Sequence, residues 1–419
     1  MSGTSDPIRI DDLAQPVLSD AQRAAIAWAD RQQFDFSEAA VLREAREQTG
    51  LDDFGADDFL SRLRVWLRAV EEDTDLNGIG RMGVHAHVVR ILCNRLRVED
   101  LLKRHPEILG LEIRRPIIVV GLPRSGTTHL LNLIGADTRL RSIPYWESME
   151  PVPVPGEGPA HDGLDPRFKR CQAAYEAMIA GSPLLKAMHD MPPEHIHEEI
   201  ELLELDFASY NVEWLALVPR WRDHYLSLDL TPSYAYLKRA LKVLQYFRPG
   251  ERWVLKCPQH LEQLGPLLRA FPDATLAITH RDPVSVIQSA ITMVGYGDRM
   301  RRRRVDLAAV ADYWIDRIER LLRACVRDRD LVPEGRGLDV LFHEFMADDI
   351  GMVERIYQLA GLPMTPEARA ELAAHLERNR RGRHGRLVYD LKGDFGIDPD
   401  QLRRRFEFYF ERFAVRPER

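Results

Sequence analysis

The sequence predicts an α/β fold of three layers, with a central parallel sheet covered by helices on both faces. Three observations carry this. From residue 115 onward, short runs of Val, Ile and Leu alternate with amphipathic helical stretches. The runs are almost continuously apolar, as strands buried on both faces must be. The first run feeds a glycine-bearing turn that opens straight into a helix, the strand–loop–helix form of an anion-binding unit.

Residues 1–114 read as a helical N-terminal region packed on the core. The opening MSGTSDPIRIDDLAQ is acidic and lacks the apolar segment of a signal peptide. DAQRAAIAWADRQQ and DFLSRLRVWLRAVEED carry apolar residues at helical spacing. GVHAHVVRILCNRLRVEDLLKRHPEILG continues the pattern and stops at Gly110. Residues 115–419 read as a P-loop-type α/β domain. Its expected strands are IIVVG (117–121), WVLK (253–256), TLAITH (275–280) and LDVLF (338–342). Helices are expected at 259–270, 283–293 and 345–360. Residues 150–250 open with the loop PVPVPGEGPAHDG and turn helical through HEEIELLELDFASY, which predicts a helical insertion or lid. The tail predicts a basic loop and then an amphipathic helix, QLRRRFEFYFERF, whose aromatics pack on the core.

Bulk composition narrows the function classes. The 419 residues exceed what one simple domain needs. Lys and Arg number 58 against 65 Asp and Glu, a net charge of −7, which disfavours non-specific nucleic-acid binding. The four cysteines (93, 171, 257 and 325) are far apart, so neither a zinc ribbon nor a disulfide framework is expected, and a reducing compartment fits. No apolar run reaches the roughly 18 residues of a membrane span. The expected location is the cytoplasm.

The loop in IIVVGLPRSGTTHLLNLI (117–134) spaces Gly121 and Gly126 as a Walker A motif does, but Thr127 stands where the lysine belongs and Thr128 follows it. Backbone N–H groups of Ser125, Gly126, Thr127 and Thr128 converge at the positive end of a helix dipole. Arg124 adds a planar fork suited to phosphate or sulfonate oxygens. A nucleoside triphosphatase needs the lysine on its β and γ phosphates and a hydroxyl on magnesium. Thr127 lacks the charge, so the loop suits a single 5′-phosphate better. A turn with glycine for tightness alone is the plainer reading.

PRSGTT after an apolar strand resembles the 5′-phosphosulfate loop of the PAPS-dependent sulfotransferases (PAPS is 3′-phosphoadenosine 5′-phosphosulfate). WVLKCPQHLEQLGPLLRAFPDATLAITHRDPVSVIQS (253–289) repeats that family's order of Lys-x-Pro, helix, strand and Arg-Asp-x-x-x-x-x-x-Ser. The resemblance spans about 80–415, and the pattern is similar in particular to a bacterial branch related to the tyrosylprotein sulfotransferases. It implies that Arg281 and Ser289 bind the 3′-phosphate, with the P-loop holding the phosphosulfate. It implies that Lys256 contacts the leaving phosphate and the sulfonate, and that no metal takes part.

The resemblance also implies a base for the acceptor's proton. Glu147, in SIPYWESMEPVPVP, is favoured, although it stands two residues out of the family's register. His260, four residues after Lys256 rather than two, is a second candidate with a structural alternative. The cluster MPPEHIHEEIELLEL (191–205) holds His195, His197, Glu198 and Glu199. It lacks H-E-x-x-H and reads as acceptor binding, lid ordering or a capped helix start. In ERNRRGRHGR (377–386), the resemblance implies a late basic loop that would bring Arg383 and Arg386 over the 3′-phosphate and Tyr389 onto adenine, the plainer reading being a solvated charged face. Trp214, Trp221, Tyr210 and Tyr225 leave room for an apolar or aromatic alcohol, or are core. Small-molecule, lipid, glycan and peptide acceptors stay open. The rival readings are a P-loop kinase or nucleoside triphosphatase, for which only the weak LDVLFHEF with His343 and Glu344 could serve as Walker B, and a non-catalytic protein that binds PAP (3′-phosphoadenosine 5′-phosphate) or PAPS.

Overall fold

The computed structural model describes residues 7–158, 162–379 and 385–418. At its centre are five strands: β1 (Ile117–Gly121), β2 (Leu140–Arg141), β3 (Arg252–Lys256), β4 (Thr275–His280) and β5 (Gly337–Leu341). They lie in the order β2-β3-β1-β4-β5, and every pairing is parallel. β1 and β4 are buried along their whole length, which is why their sequences are unbroken apolar runs. Alternate residues of β1 serve opposite cores: Ile118 and Val120 face one, Ile117 and Val119 the other. β2 was not anticipated; it is two residues long and contains a charge, so it carries no strand signal.

Six helices matter below: α1 (Asp20–Ala29), α2 (Gly78–Arg104), α3 (Thr127–Ile134), α4 (Thr231–Phe247), α5 (Pro283–Arg301) and α6 (Leu307–Asp328). One core joins Ile117 and Val119 to α3 and the helices 349–360 and 366–378. The other joins Ile118 and Val120 to α2, the insertion, α5, α6 and the tail. The N-terminal helices therefore share a continuous apolar core with the insertion. Buried ions reinforce that seam. Arg95 on α2 and Arg62 both hold Asp206, at 3.1 and 2.7 Å. Arg317 on α6, fully buried, holds Glu213 of the insertion and Glu262 after β3.

Helix boundaries differ from expectation in five places. The helix expected at 259–270 is a 3₁₀ turn, Pro258–Glu262, followed by a helix at Leu264–Ala270. The one expected at 283–293 runs on to Arg301. The one expected at 345–360 breaks at Asp348, whose side chain caps the second half by accepting from the Gly351 N–H. HEEIELLELDFASY is helical only at Ile200–Glu204, and QLRRRFEFYFERF is two short helices that meet at the buried Phe406. Among the described residues no helix is long and apolar enough to cross a membrane.

Candidate active site at the carboxyl edge of the sheet

Register places the loop. Gly121, the last residue of β1, pairs with Thr279 of β4, while Val119 pairs with Lys256, the last residue of β3. The chain therefore leaves β1 between the carboxyl ends of its two neighbours, where open α/β sheets bind ligands. A Cβ on Gly121 would lie 2.0 Å from Thr279 Oγ1, so only glycine fits there. Ser125 Oγ donates to the Leu122 carbonyl at 2.6 Å and shares a hydrogen bond with Thr279 Oγ1 at 2.7 Å. Its hydroxyl braces the loop and does not face out. Gly126 has φ of 91° and caps α3 with no side-chain partner, which leaves the first-turn N–H groups for an anion.

Arg124 sits at φ 67°, a left-handed conformation costing a non-glycine residue about 1 kcal/mol. That twist aims its Nε at Ser289 Oγ, 2.9 Å away on α5. Ser289 in turn donates to the Tyr389 hydroxyl at 3.0 Å. Arg281 follows β4; its Nη1 donates to the Arg124 carbonyl at 2.8 Å, and its guanidinium lies 4.1 Å from the Phe342 ring centre. Asp282 caps α5 and pairs with Arg403 rather than with Arg281. Arg281, Ser289, Arg124 and Tyr389 thus form one group. Arg386 is exposed on a short strand beside Pro7–Ile8, and Arg383 lies outside the described residues.

Lys256 is 3 % exposed. Its Nζ donates to Glu198 Oε2 at 2.6 Å and reaches Thr128 Oγ1 at 3.5 Å. Glu199 faces the other way, fully buried: it accepts the Lys256 N–H at 2.9 Å and holds His260 Nε2 at 2.8 Å. His260 Nδ1 meets the Tyr234 hydroxyl at 2.8 Å. Both ring nitrogens of His260 are therefore engaged inside the core, and the structure gives it a scaffolding position.

Glu147 is not brought to the site. It lies in the helical turn Tyr145–Met149, buried, with Arg141 Nη2 at 2.5 Å and Arg248 Nε at 2.8 Å. Tyr145 and Met149 share one face and line the cavity described next, whereas a residue two positions on points almost oppositely. Burial lowers Arg141 to about 10, although Glu147 opposes the shift. The weak Walker B candidate also falls away: Glu344 sits on helix 342–347 and pairs with Arg355 at the surface.

Pro123, Arg124, Thr127, Thr128, Lys256 and Glu198 form one end of a cavity of about 770 Å³. Its walls come from α1, α2, the turn Tyr145–Met149, α5 and the insertion, and six of the eleven methionines lie on them: Met82, Met149, Met178, Met191, Met293 and Met300. Trp214 and Tyr210 also line it, while Trp221 and Tyr225 are core. Near the charged end stand His189 and His197. Burial holds His189 well below its usual range, and the charges of Arg124, His195 and Lys256 add to this. His197 pairs with Glu201 at 2.9 Å. Sequence reasoning flagged the 195–199 cluster without seeing that its two adjacent glutamates point to opposite sides of Lys256. The cavity itself left no sequence signal, because its walls come from five separate segments.

The family model described as sulfotransferase family matches residues 116–366. The curated omega-hydroxy-beta-dihydromenaquinone-9 sulfotransferase Stf3 of Mycobacterium bovis is 26% identical over 276 residues, which cover 62% of this chain and 68% of the relative. The crystal structure of sulfotransferase STF1 from Mycobacterium tuberculosis H37Rv superposes with a TM-score of 0.77 at 29% identity, over 88% of this chain and 98% of that one. Sulfotransferase STF9 from Mycobacterium avium gives 0.81 at 25% identity, over 92% and 99%.

Proposed function

This chain belongs to the sulfotransferase family, and from that premise we propose that it moves a sulfuryl group from PAPS to the hydroxyl of an apolar acceptor by in-line transfer. One observation carries the reading. Lys256 touches the anion loop through Thr128 and the cavity wall through Glu198, so a single buried ammonium joins a phosphosulfate site to an acceptor site.

The donor set fits PAPS. The loop N–H groups, Thr127, Thr128 and Arg124 would hold the 5′-phosphosulfate. Arg281 and Ser289 would hold the 3′-phosphate, and the Arg281 fork already grips a carboxylate, an anion of similar geometry. PAPS, when bound, supplies an electrophilic sulfur and a phosphate leaving group. Lys256 would hold the bridging oxygen of the leaving phosphate and offset its charge. Glu198 would accept the proton of the acceptor hydroxyl. Glu147, held between two arginines, and His260, saturated on both nitrogens, are not offered as bases. The Stf3 relative is named for a hydroxylated menaquinone, and the methionine-lined walls support an apolar alcohol for this chain as well. The four cysteines are buried free thiols, which supports a cytoplasmic setting.

Calorimetric titration with PAP, and with AMP as control, tests the cofactor assignment. PAP should bind at least about ten-fold more tightly, because AMP leaves the Arg281 fork without a phosphate. Equal affinity for the two nucleotides would refute it. Release of PAP from PAPS in the presence of an apolar alcohol then tests transfer.

A further inference from the structure

LDVLFHEF supplies no Walker B carboxylate, yet it brings Phe342 against Arg281. Register does this. His280, the last residue of β4, pairs with Leu341, the last residue of β5. Arg281 and Phe342 are therefore the next residues on two adjacent parallel strands, and the chain leaves the sheet at both points side by side. The Arg281 guanidinium carbon lies 4.1 Å from the Phe342 ring centre, the spacing of a cation stacked on an aromatic face.

The same ring meets the anion loop. A Cβ on Gly126 would lie 3.3 Å from both Cδ2 and Cε2 of Phe342, so the ring packs on the loop backbone just ahead of α3. One side chain thus spans the gap between the loop proposed for the phosphosulfate and the fork proposed for the 3′-phosphate.

The contacts on Arg281 divide by direction. Phe342 covers a face of the guanidinium. Nη1 donates to the Arg124 carbonyl at 2.8 Å. The remaining edge, Nε and Nη2, is the one that meets a carboxylate, at 2.7 Å from each nitrogen. A planar fork recognises an oxyanion through its edge, whereas an aromatic ring acts on its face, so the two interactions do not compete. An arginine side chain has many rotamers, and fixing the fork before a ligand arrives removes that ordering cost from binding.

We propose that Phe342 is a specificity-determining residue for the cofactor. It positions the Arg281 fork and sets its distance from the loop, so that the two sites together select a nucleotide with phosphates on both the 5′ and the 3′ positions. Its role is exercised through Arg281 and is one of positioning. The inference rests on the sulfuryl-transfer reading for the identity of the ligand, but the part played by the ring is tested separately.

Calorimetry on the full chain would compare PAP with AMP on the wild type, Phe342→Tyr and Phe342→Leu. Phe342→Leu keeps an apolar side chain and loses the aromatic face. It should weaken PAP binding about five-fold and leave AMP within about two-fold, because AMP has no 3′-phosphate for the fork. Phe342→Tyr retains the face and should keep the wild-type ratio of the two affinities. A side chain that only filled space would change the folded fraction and not that ratio, so an unchanged ratio in Phe342→Leu would overturn the proposal. Equal losses of PAP and AMP affinity would overturn it too, since the ring would then serve the loop alone. A Phe342→Tyr protein as impaired as Phe342→Leu would do the same. Failure of the underlying reading looks different: the wild type itself would bind PAP and AMP alike, and this inference would fall with it.

Discussion

Glu418 grips Arg281 with both carboxylate oxygens, at 2.7 Å to Nε and 2.7 Å to Nη2. The C-terminal tail is pinned there by two further contacts, its own N–H to Asp282 at 2.8 Å and Arg403 to its carbonyl at 3.2 Å. The tail carboxylate thus occupies the fork proposed for the cofactor's 3′-phosphate. The pair is partly exposed, 22% and 31% by side chain, so the contact is worth only about 1 kcal/mol. Glu418→Gln should tighten PAP binding about five-fold and leave AMP unchanged; Arg281→Ala should abolish the difference between the nucleotides. A Glu418→Gln protein that binds PAP no better than wild type would show that the tail does not compete.

Glu198→Gln should lower the single-turnover rate by about a hundred-fold or more, since general-base catalysis contributes on that scale. PAP affinity should stay within about two-fold, because Glu198 is proposed to act on the acceptor. Wild-type turnover in the variant would remove Glu198 from the chemistry.

Glu147→Gln should act on stability instead. It leaves Arg141, buried, facing a neutral amide, and removing one partner of such a pair costs about 3 kcal/mol. The midpoint of urea unfolding should fall, while the transfer rate per folded molecule should hold. An unchanged midpoint with lost turnover would restore Glu147 as the base.

The contrast between these two glutamates measures what was legible. The loop, Lys256, Arg281 and Ser289 could be read because each sits at a fixed offset from a strand end, and strand ends are visible as apolar runs. The orientation of Glu147 was not legible, because motif order locates a residue along the chain but not around a five-residue helical turn. Glu198 and Glu199 are neighbours in sequence and serve opposite purposes, one on the cavity and one under Lys256 in the core. Glu418 carried no signal at all, since its partner lies 137 residues away.

His280 makes stability depend on pH. It is buried, with Nδ1 on the Tyr409 hydroxyl and Nε2 on Asp339. Burial holds it below its ordinary 6.5. Asp339 is pulled below the usual carboxylate range: burial would raise it, but hydrogen bonds from His280 and Arg329 outweigh that. The unfolded chain takes up a proton below about 6.5 that folded His280 resists, so its contribution is complete above that pH and is lost as pH falls. The slope is at most about 1.4 kcal/mol per pH unit for this group. Asp339 adds its own loss only lower, below about 3.8. Urea midpoints measured from about pH 7.5 to 5.5 should fall less steeply in His280→Gln than in the wild type. Identical slopes would exclude His280 as the titrating group.

Ala21, Ala25, Ile79 and Met82 belong to α1 and α2, upstream of residues 116–366, which the family model covers. Those positions line the proposed acceptor cavity and lie on elements separate from the anion loop, Lys256 and Arg281. If the proposed reading holds, substitutions there would alter which acceptors fit while leaving the loop, Lys256 and Arg281 in place. On that reading, the helices that precede the anion loop would set which acceptor fits, apart from the residues that would carry the transfer.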